Sequence, residues 1–256
     1  MSVSGPTIDL NCDLGEGTGH DDEVMPLISS ANVCAGAHAG TLEVTAATVR
    51  LAMQHGVAVG AHPGHDDREH FGRRELPITP AAAAALIDSQ IGVVAACAGP
   101  ALRHVKLHGG LYHQVGRDQD LAAAVAAMLA ARWPRLAVFA EAGSVFAAVA
   151  RSHGLAVAEE AFCDRRYRGD GGLVPRGVDG ALIADPAAAA RQAVRLATER
   201  RVRTHDGREI VIAADTLCIH GDGPYAVAVA AAVREALLAA GVGIRPVGQN
   251  WYAEGD

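Results

Sequence analysis

Residues 7–13 alternate in character: Ile8, Leu10 and Cys12, with Leu14 just beyond, fall between Asp9, Asn11 and Asp13. A period of two predicts a β-strand with one face buried. Short β-type runs recur at residues 31–35, 57–61, 104–106, 137–141, 156–161 and 216–220. Ala-rich stretches between them predict helices over 42–55, 80–98, 119–132, 144–153, 186–200 and 224–240. Thr79 and Asp185 each precede a proline, the pattern of an N-cap with Pro at the first helical position. Gly56, Gly99, Gly154 and Gly241 stand where helix C-terminal glycines belong. Two segments, 64–77 and 164–179, break the rhythm. Both are long, polar and rich in Gly and Arg, as functional loops of compact domains are.

Strands separated by helices predict parallel pairing. Some seven βα units in 256 residues predict one α/β domain over 1–256. The length matches the about 250 residues of a (β/α) barrel. An open doubly wound sheet is the alternative, although no GxGxxG follows a strand and no GxxxxGK[ST] occurs. A net charge of −7, no basic run and 4% aromatic residues argue against a nucleic-acid partner. No apolar run is expected to reach the ~20 residues of a membrane helix, and the N-terminus lacks a signal-peptide pattern. A cytoplasmic location with no membrane partner is therefore expected. The five cysteines are odd in number and include no CxxC, so most are expected to be small buried hydrophobes.

Chemistry-bearing residues collect just past the strand C-termini. Asn11, Asp13 and Glu16 belong to the first strand, Asn32 and His38 to the second, His62 to the third, and Lys106 and His108 to the fourth. Glu141 ends the fifth, Glu160, Asp164 and Arg165 mark the sixth, and His220 and Asp222 the seventh. In parallel α/β folds that rim is where ligands bind. Each residue alone has a plain structural reading: a lone His is more often a cap, and Asp222 beside Gly221 reads equally as a turn. The recurrence across seven units argues for a shared site. Two chemistries fit it. In metal-assisted hydrolysis Asp13, His38 and His62 hold a divalent ion and a water, with Asp222 or Glu16 as base. In metal-free acid/base work Asp13 or Glu16 takes a proton while Lys106 and His108 stabilise an oxyanion. No GxSxG elbow supports a serine hydrolase. Arg73, Arg74, Arg165, Arg166, Arg168 and Arg176 suit a substrate carboxylate or phosphate, or pairing with neighbouring acids.

The stretches "IDLNCDLGEG", "MPLISSAN", "GAHAG", "GVAVGAHPG", "FGRR", "QIG", "HVKLHGGLY", "DRRYRGDGGLVPR" and "HGDGPYAV" run in order from residue 8 to about 244. Together they resemble the LamB/YcsF family, the A subunits of 5-oxoprolinase. The resemblance implies an irregular seven-stranded (β/α) barrel related to the polysaccharide-deacetylase barrels. It implies ATP-dependent opening of 5-oxoproline to L-glutamate, with ATP carried as its Mg2+ complex, in company with subunits B and C. A homo-oligomer is left open. On this reading the catalytic residues are Asp13, Glu16, Lys106, His108 and Asp222. The substrate-binding residues are Asn11, His38, His62, Arg165 and His220, and a protein-bound metal, where held, falls to Asp13, His38 and His62. The chain departs from the family pattern at Ala37, Leu107 and His113, and at His65-Asp66-Asp67, so a shifted substrate fit is expected. The competing readings are a stand-alone metal-dependent deacetylase-like amidohydrolase and a non-catalytic substrate-binding or regulatory protein.

Overall fold

The computed structural model describes residues 5–247. The elements run β1 (Thr7–Leu14), α1 (Asp21–Val24), β2 (Ser30–Cys34), α2 (Leu42–His55), β3 (Ala58–His62), α3 (Pro80–Ala98) and β4 (Leu102–Lys106). They continue α4 (Gly109–Arg117), α5 (Gln119–Arg132), β5 (Ala137–Glu141), α6 (Val145–Ser152), β6 (Val157–Phe162) and α7 (Pro186–Glu199). A short hairpin of β7 (Arg201–Arg203) and β8 (Glu209–Val211) precedes β9 (Thr216–His220), α8 (Ala226–Ala239) and β10 (Gly243–Ile244).

Seven strands, β1 to β6 and β9, pair in parallel, and β9 pairs back onto β1 to close a barrel. Closure leaves no free edge among the seven. The expectation of one buried face for the first strand is corrected: every residue of β1 after Thr7 is buried. Leu10, Cys12 and Leu14 join the apolar layer under the helices, while Asp9, Asn11 and Asp13 enter a hydrogen-bonded network inside the barrel. The period of two survives because the two faces meet different environments, helices outside and a polar lumen inside.

Helix starts follow local chemistry. The Thr79 hydroxyl accepts the Ala82 N–H, and the Asp185 carboxylate accepts the Ala187 and Ala188 N–H groups. The sequence pattern missed α4, whose Gly109-Gly110 start has poor helix propensity. Both glycines are needed for close approach. A Cβ on Gly110 would lie 2.1 Å from the Arg74 carbonyl oxygen, and one on Gly109 would lie 2.5 Å from that of Gly72. The 64–77 loop is thereby pressed onto the barrel rim. The β7–β8 hairpin was also missed, because its alternation is hidden among charged residues.

One expectation about membranes is corrected. Pro80–Ala101 spans 22 residues at a hydropathy of 1.7, long and apolar enough by length and composition to cross a membrane. In the fold it is α3 and the turn after it, with Ile87, Ile91 and Val94 fully buried and the helix packed on β3, β4, α2 and α5.

The lumen floor is polar. Asp9 accepts hydroxyl hydrogen bonds from Ser29 and Ser30 at 2.6 and 2.7 Å and from Thr216. The Ser29 and Thr216 hydroxyls also accept N–H groups, from Leu10 and Asn11. An amide at position 9 would turn at least one of these hydroxyl protons away from it. Burial pushes the Asp9 carboxyl up to about 6. His104 crosses the lumen, stacked on Phe139 with ring centroids 4.2 Å apart. A Cβ on Gly60 would fall 2.0 Å from His104 Nε2, so glycine on β3 makes room for that ring.

Two outcomes are expected in chemical denaturation. Gly60→Ala should destabilise by about 1–3 kcal/mol or more through overpacking. Asp9→Asn should cost about 1–3 kcal/mol through the hydrogen bonds lost or redirected around a buried amide. The folded pKa of Asp9 lies above its unfolded value, so its stabilising contribution is complete below about 4 and is lost as pH rises through about 6. The gap between wild type and Asp9→Asn should therefore narrow between pH 4 and pH 7.

Candidate active site

The parallel strands deliver alternate side chains into the lumen, and the uppermost form the site. Lys106, at the end of β4, is its charge centre. Its Nζ lies 2.8 Å from Asp13 Oδ1, 3.0 Å from Glu160 Oε1, 2.9 Å from Cys218 Sγ and 3.3 Å from Asn11 Oδ1. Burial works against the ammonium, yet Asp13 and Glu160 together hold its pKa well above the ordinary lysine value. Burial likewise works against the Asp13 carboxylate, but the close Lys106 ammonium helps keep it well below the usual range. Asn32 Nδ2 donates to Asp13 Oδ1 and Asn11 Oδ1, and Asn11 Nδ2 donates to Glu160 and Thr216. The Tyr112 hydroxyl donates to Glu160 Oε2 at 2.8 Å. Burial pushes the Cys218 thiol well up, so it sits beside Lys106 as a neutral group and not as a nucleophile.

Four buried groups converge next to Asp13. Glu16 Oε1 lies 3.2 Å from His38 Nε2, 3.5 Å from His108 Nδ1 and 4.0 Å from His62 Nε2. His62 Nε2 lies 2.9 Å from His108 Nδ1 and 3.3 Å from Asp13 Oδ2. Burial and the neighbouring Asp13 charge push Glu16 up to about 7. Burial pushes His38 down to about 3, with Arg73 and Arg68 adding to it, and burial pushes His108 well below the ordinary histidine value. The rings of His38 and His108 stack in parallel, 3.9 Å apart. Glycines frame the stack. A Cβ on Gly64 or on Gly72 would come within 2.7 Å of the His38 side chain and 3.1 Å of that of His108. The donor atoms of Glu16, His38, His62 and His108 all lie within 4.8 Å of one another, close enough to share a metal ion.

Beside this group opens a cavity of about 960 Å³, lined among others by Asp13, Lys106, His108, Tyr112, His220, Arg73, Arg165 and Arg176. His220 Nδ1 lies 2.9 Å from both oxygens of Asp164, which also accepts the His220 backbone N–H. That carboxylate keeps the proton on Nδ1 and leaves Nε2 as the free basic nitrogen. Burial opposes the Asp164 charge, but His220 holds the carboxyl below its ordinary value. Arg165 is buried, its Nη2 donates to the Val174 carbonyl, and its Nε has no hydrogen-bond partner among the described residues. Burial and Arg176 lower its pKa to about 10, which leaves it charged at neutral pH.

The rim residues expected from the sequence thus fall into distinct places. Asp13, Lys106, His108, Arg165 and His220 line the cavity. Glu16, His38 and His62 form the buried group behind it. Asn11 lies below, fully buried, its amide engaged by four neighbours. Asp222 is held across the mouth by Arg73. Of the positions that depart from the family pattern, Leu107 and His113 line the cavity. Asp164 was read only as one of the rim acids and Arg73 only as one of six anion-binding candidates, and Tyr112 was not singled out. Asp164 had the same post-strand position as the others, and the signal for it was its place beside Arg165 in the polar run after β6.

The LamB/YcsF family pattern matches residues 8–251. The chain belongs to the LamB/YcsF family. It is 46% identical over 246 residues to the A subunit of 5-oxoprolinase from Heliobacterium modesticaldum, covering 93% of this chain and 97% of that one. It is 47% identical to the corresponding 5-oxoprolinase protein of Thermus thermophilus, covering 93% and 98%. The crystal structure of a lactam utilization protein from Thermus thermophilus superposes with a TM-score of 0.87 at 46% identity, over 93% of this chain and 99% of that one. A family 4 carbohydrate esterase from Streptomyces lividans has a TM-score of 0.53 at 11% identity, covering 95% and 94%. That likeness shows a shared barrel fold and bears out the expected relation to the deacetylase-like barrels.

In this LamB/YcsF chain Lys106 neutralises two buried carboxylates. Lys106→Met should cost about 3–5 kcal/mol in urea or thermal unfolding, because Asp13 and Glu160 are left without a counter-charge. Adding Glu160→Gln should recover part of that loss, a non-additivity that unrelated sites would not show.

Proposed function

We propose that this chain is the A subunit of a cytoplasmic, ATP-dependent 5-oxoprolinase that opens 5-oxoproline to L-glutamate together with subunits B and C. The relatives that carry the 5-oxoprolinase name support this reading, as does a cavity that offers a base, a fixed ammonium and free guanidinium donors. The observation that carries the mechanism is the Asp164–His220 pair, whose basic nitrogen belongs to a side chain lining the same cavity as Lys106.

A lactam is a poor electrophile. Transfer of the terminal phosphoryl group of ATP to the lactam oxygen releases ADP and makes the ring carbon reactive. Water adds to that carbon, giving up a proton to His220 Nε2, while Asp164 steadies the imidazolium that forms. The ring C–N bond then breaks, the nitrogen taking a proton to become the amine of glutamate. A second water releases phosphate from the remaining acyl phosphate. Lys106 offers positive charge to the developing oxyanion. Arg165, with a buried Nε–H that has no partner among the described residues, suits the substrate carboxylate, and Arg73 and Arg176 suit phosphate oxygens. Asp13 is too acidic to be the preferred base, and its part is to fix Lys106 and His62.

Glutamate release from 5-oxoproline and ATP, measured with purified B and C subunits, should require this chain. His220→Asn and Asp164→Asn should each lower kcat by about 10²–10⁴-fold, with retained fold by circular dichroism. Unchanged turnover in both variants would remove His220 from the mechanism. No release with the wild-type chain would remove the function itself.

A further inference from the structure

Hydrogen-bond accounting at His62 and His108 leads beyond the lactam chemistry. His62 Nδ1 lies 2.8 Å from the Lys106 carbonyl oxygen, and His108 Nε2 lies 2.8 Å from that of Phe71. A carbonyl can only accept, so each of these ring nitrogens carries its proton. In the neutral rings the other nitrogens, His62 Nε2 and His108 Nδ1, are then bare lone pairs. They face each other at 2.9 Å, with Glu16 Oε1 at 4.0 and 3.5 Å from them. Two lone pairs and a carboxylate oxygen aimed at one another, in a buried place, repel unless something positive lies between them. Anchoring the far N–H on a backbone carbonyl is also how metal-binding imidazoles are oriented.

We propose that His62 Nε2, His108 Nδ1 and Glu16 form a site for a divalent transition-metal ion of the Zn2+ or Co2+ class. Donors on a tetrahedral ion with bonds of about 2.0–2.1 Å lie about 3.3–3.4 Å apart, and the three separations here scatter around that value. His38 is set apart from the ligands by its stacking on His108, since an ion lies in the plane of each imidazole it binds and these two planes are parallel. His38 Nε2 instead lies 3.2 Å from Glu16 Oε1, where it donates to and orients the carboxylate. The next donor is Asp13 Oδ2, 3.3 Å from His62 Nε2. Of the ligand set expected from the sequence this assignment keeps His62, replaces His38 by His108, and puts Glu16 in the place of Asp13, which becomes the next donor. The other metal-like grouping, Asp13, Cys218 and His220, already encloses a cation, the Lys106 ammonium 2.8 and 2.9 Å from Asp13 and Cys218.

The test uses the full chain alone, with neither partner subunits nor lactam, so its outcome is separate from that of the oxoprolinase assay. The purified protein is stripped with a chelator and titrated with Zn2+ or Co2+ alone, following bound metal after gel filtration and the Co2+ visible spectrum. One ion per chain with a low-symmetry, imidazole-type Co2+ spectrum is expected. His108→Gln and Glu16→Gln should weaken binding by more than the about 10–100-fold typical of losing an outer-sphere partner. His38→Gln should weaken it less, and His113→Ala should leave it unchanged. The proposal is overturned if the wild type retains neither ion, or if Glu16→Gln and His108→Gln, shown folded by circular dichroism, bind as the wild type does. Nitrogen NMR showing a proton shared by His62 and His108 in metal-saturating buffer would equally overturn it.

Discussion

A lysine ammonium buried at the centre of the barrel is the constraint around which the rest is arranged. Removing such a charge from water costs several kcal/mol even after relaxation, and only close, well-oriented counter-charges offset it. Asp13 on β1 and Glu160 on β6 reach Lys106 on β4 from different sides, so the ion cluster ties distant strands across the lumen. The carboxylates need further donors, which come from Asn11, Asn32 and Tyr112, and these in turn bring in Thr216 and His104. The polar lumen is one connected answer to a single buried charge. Its satisfied network fixes the register of the strands, because a slip by one residue would put Asn11 and Asp13 among aliphatic side chains.

Much of this was legible in the chain because alternation is a local signal. The seven parallel strands and their helices follow from short apolar runs and caps, and the rim of acids and histidines follows from strand ends. What the sequence could not tell was depth. Asn11 and Asp13 are two residues apart and look alike as rim groups, yet one is fully buried in the network and the other lines the cavity. Lys106 read as an oxyanion group without its second carboxylate, since Glu160 lies 54 positions away in the chain. The glycines at 60, 64, 72, 109 and 110 were assigned no packing role. Their purpose is close approach, visible only once the ring or carbonyl opposite each is known. Asp164 was obscured by its arginine neighbours, whose charges draw attention to anion binding and away from the histidine it holds.

The site is divided by Asp13 into two halves of different chemistry. Its Oδ1 faces Lys106 and Asn32, while its Oδ2 faces His62. On one side lies the buried group of three imidazoles and Glu16, where burial favours neutral rings and lone pairs. On the other lies the cavity, where Arg73, Arg165 and Arg176 stand among acids such as Glu141 and Glu159. The loop carrying Phe71, Gly72 and Arg73 serves both halves: the Phe71 carbonyl anchors His108, and Arg73 closes on Asp222 at the mouth.

This shared carboxylate and shared loop couple the halves. Any positive charge taken up beside His62 draws on Asp13 Oδ2 and leaves less of that carboxylate's field for Lys106. The Lys106 ammonium would then offer more of its own charge to an oxyanion forming above it. The strength of that coupling is set by the low dielectric of the lumen, since the same rearrangement in water would be screened to a fraction of its effect. The polar interior thus does more than tolerate a buried lysine. It makes the charge of that lysine adjustable from a second position, on the far side of Asp13.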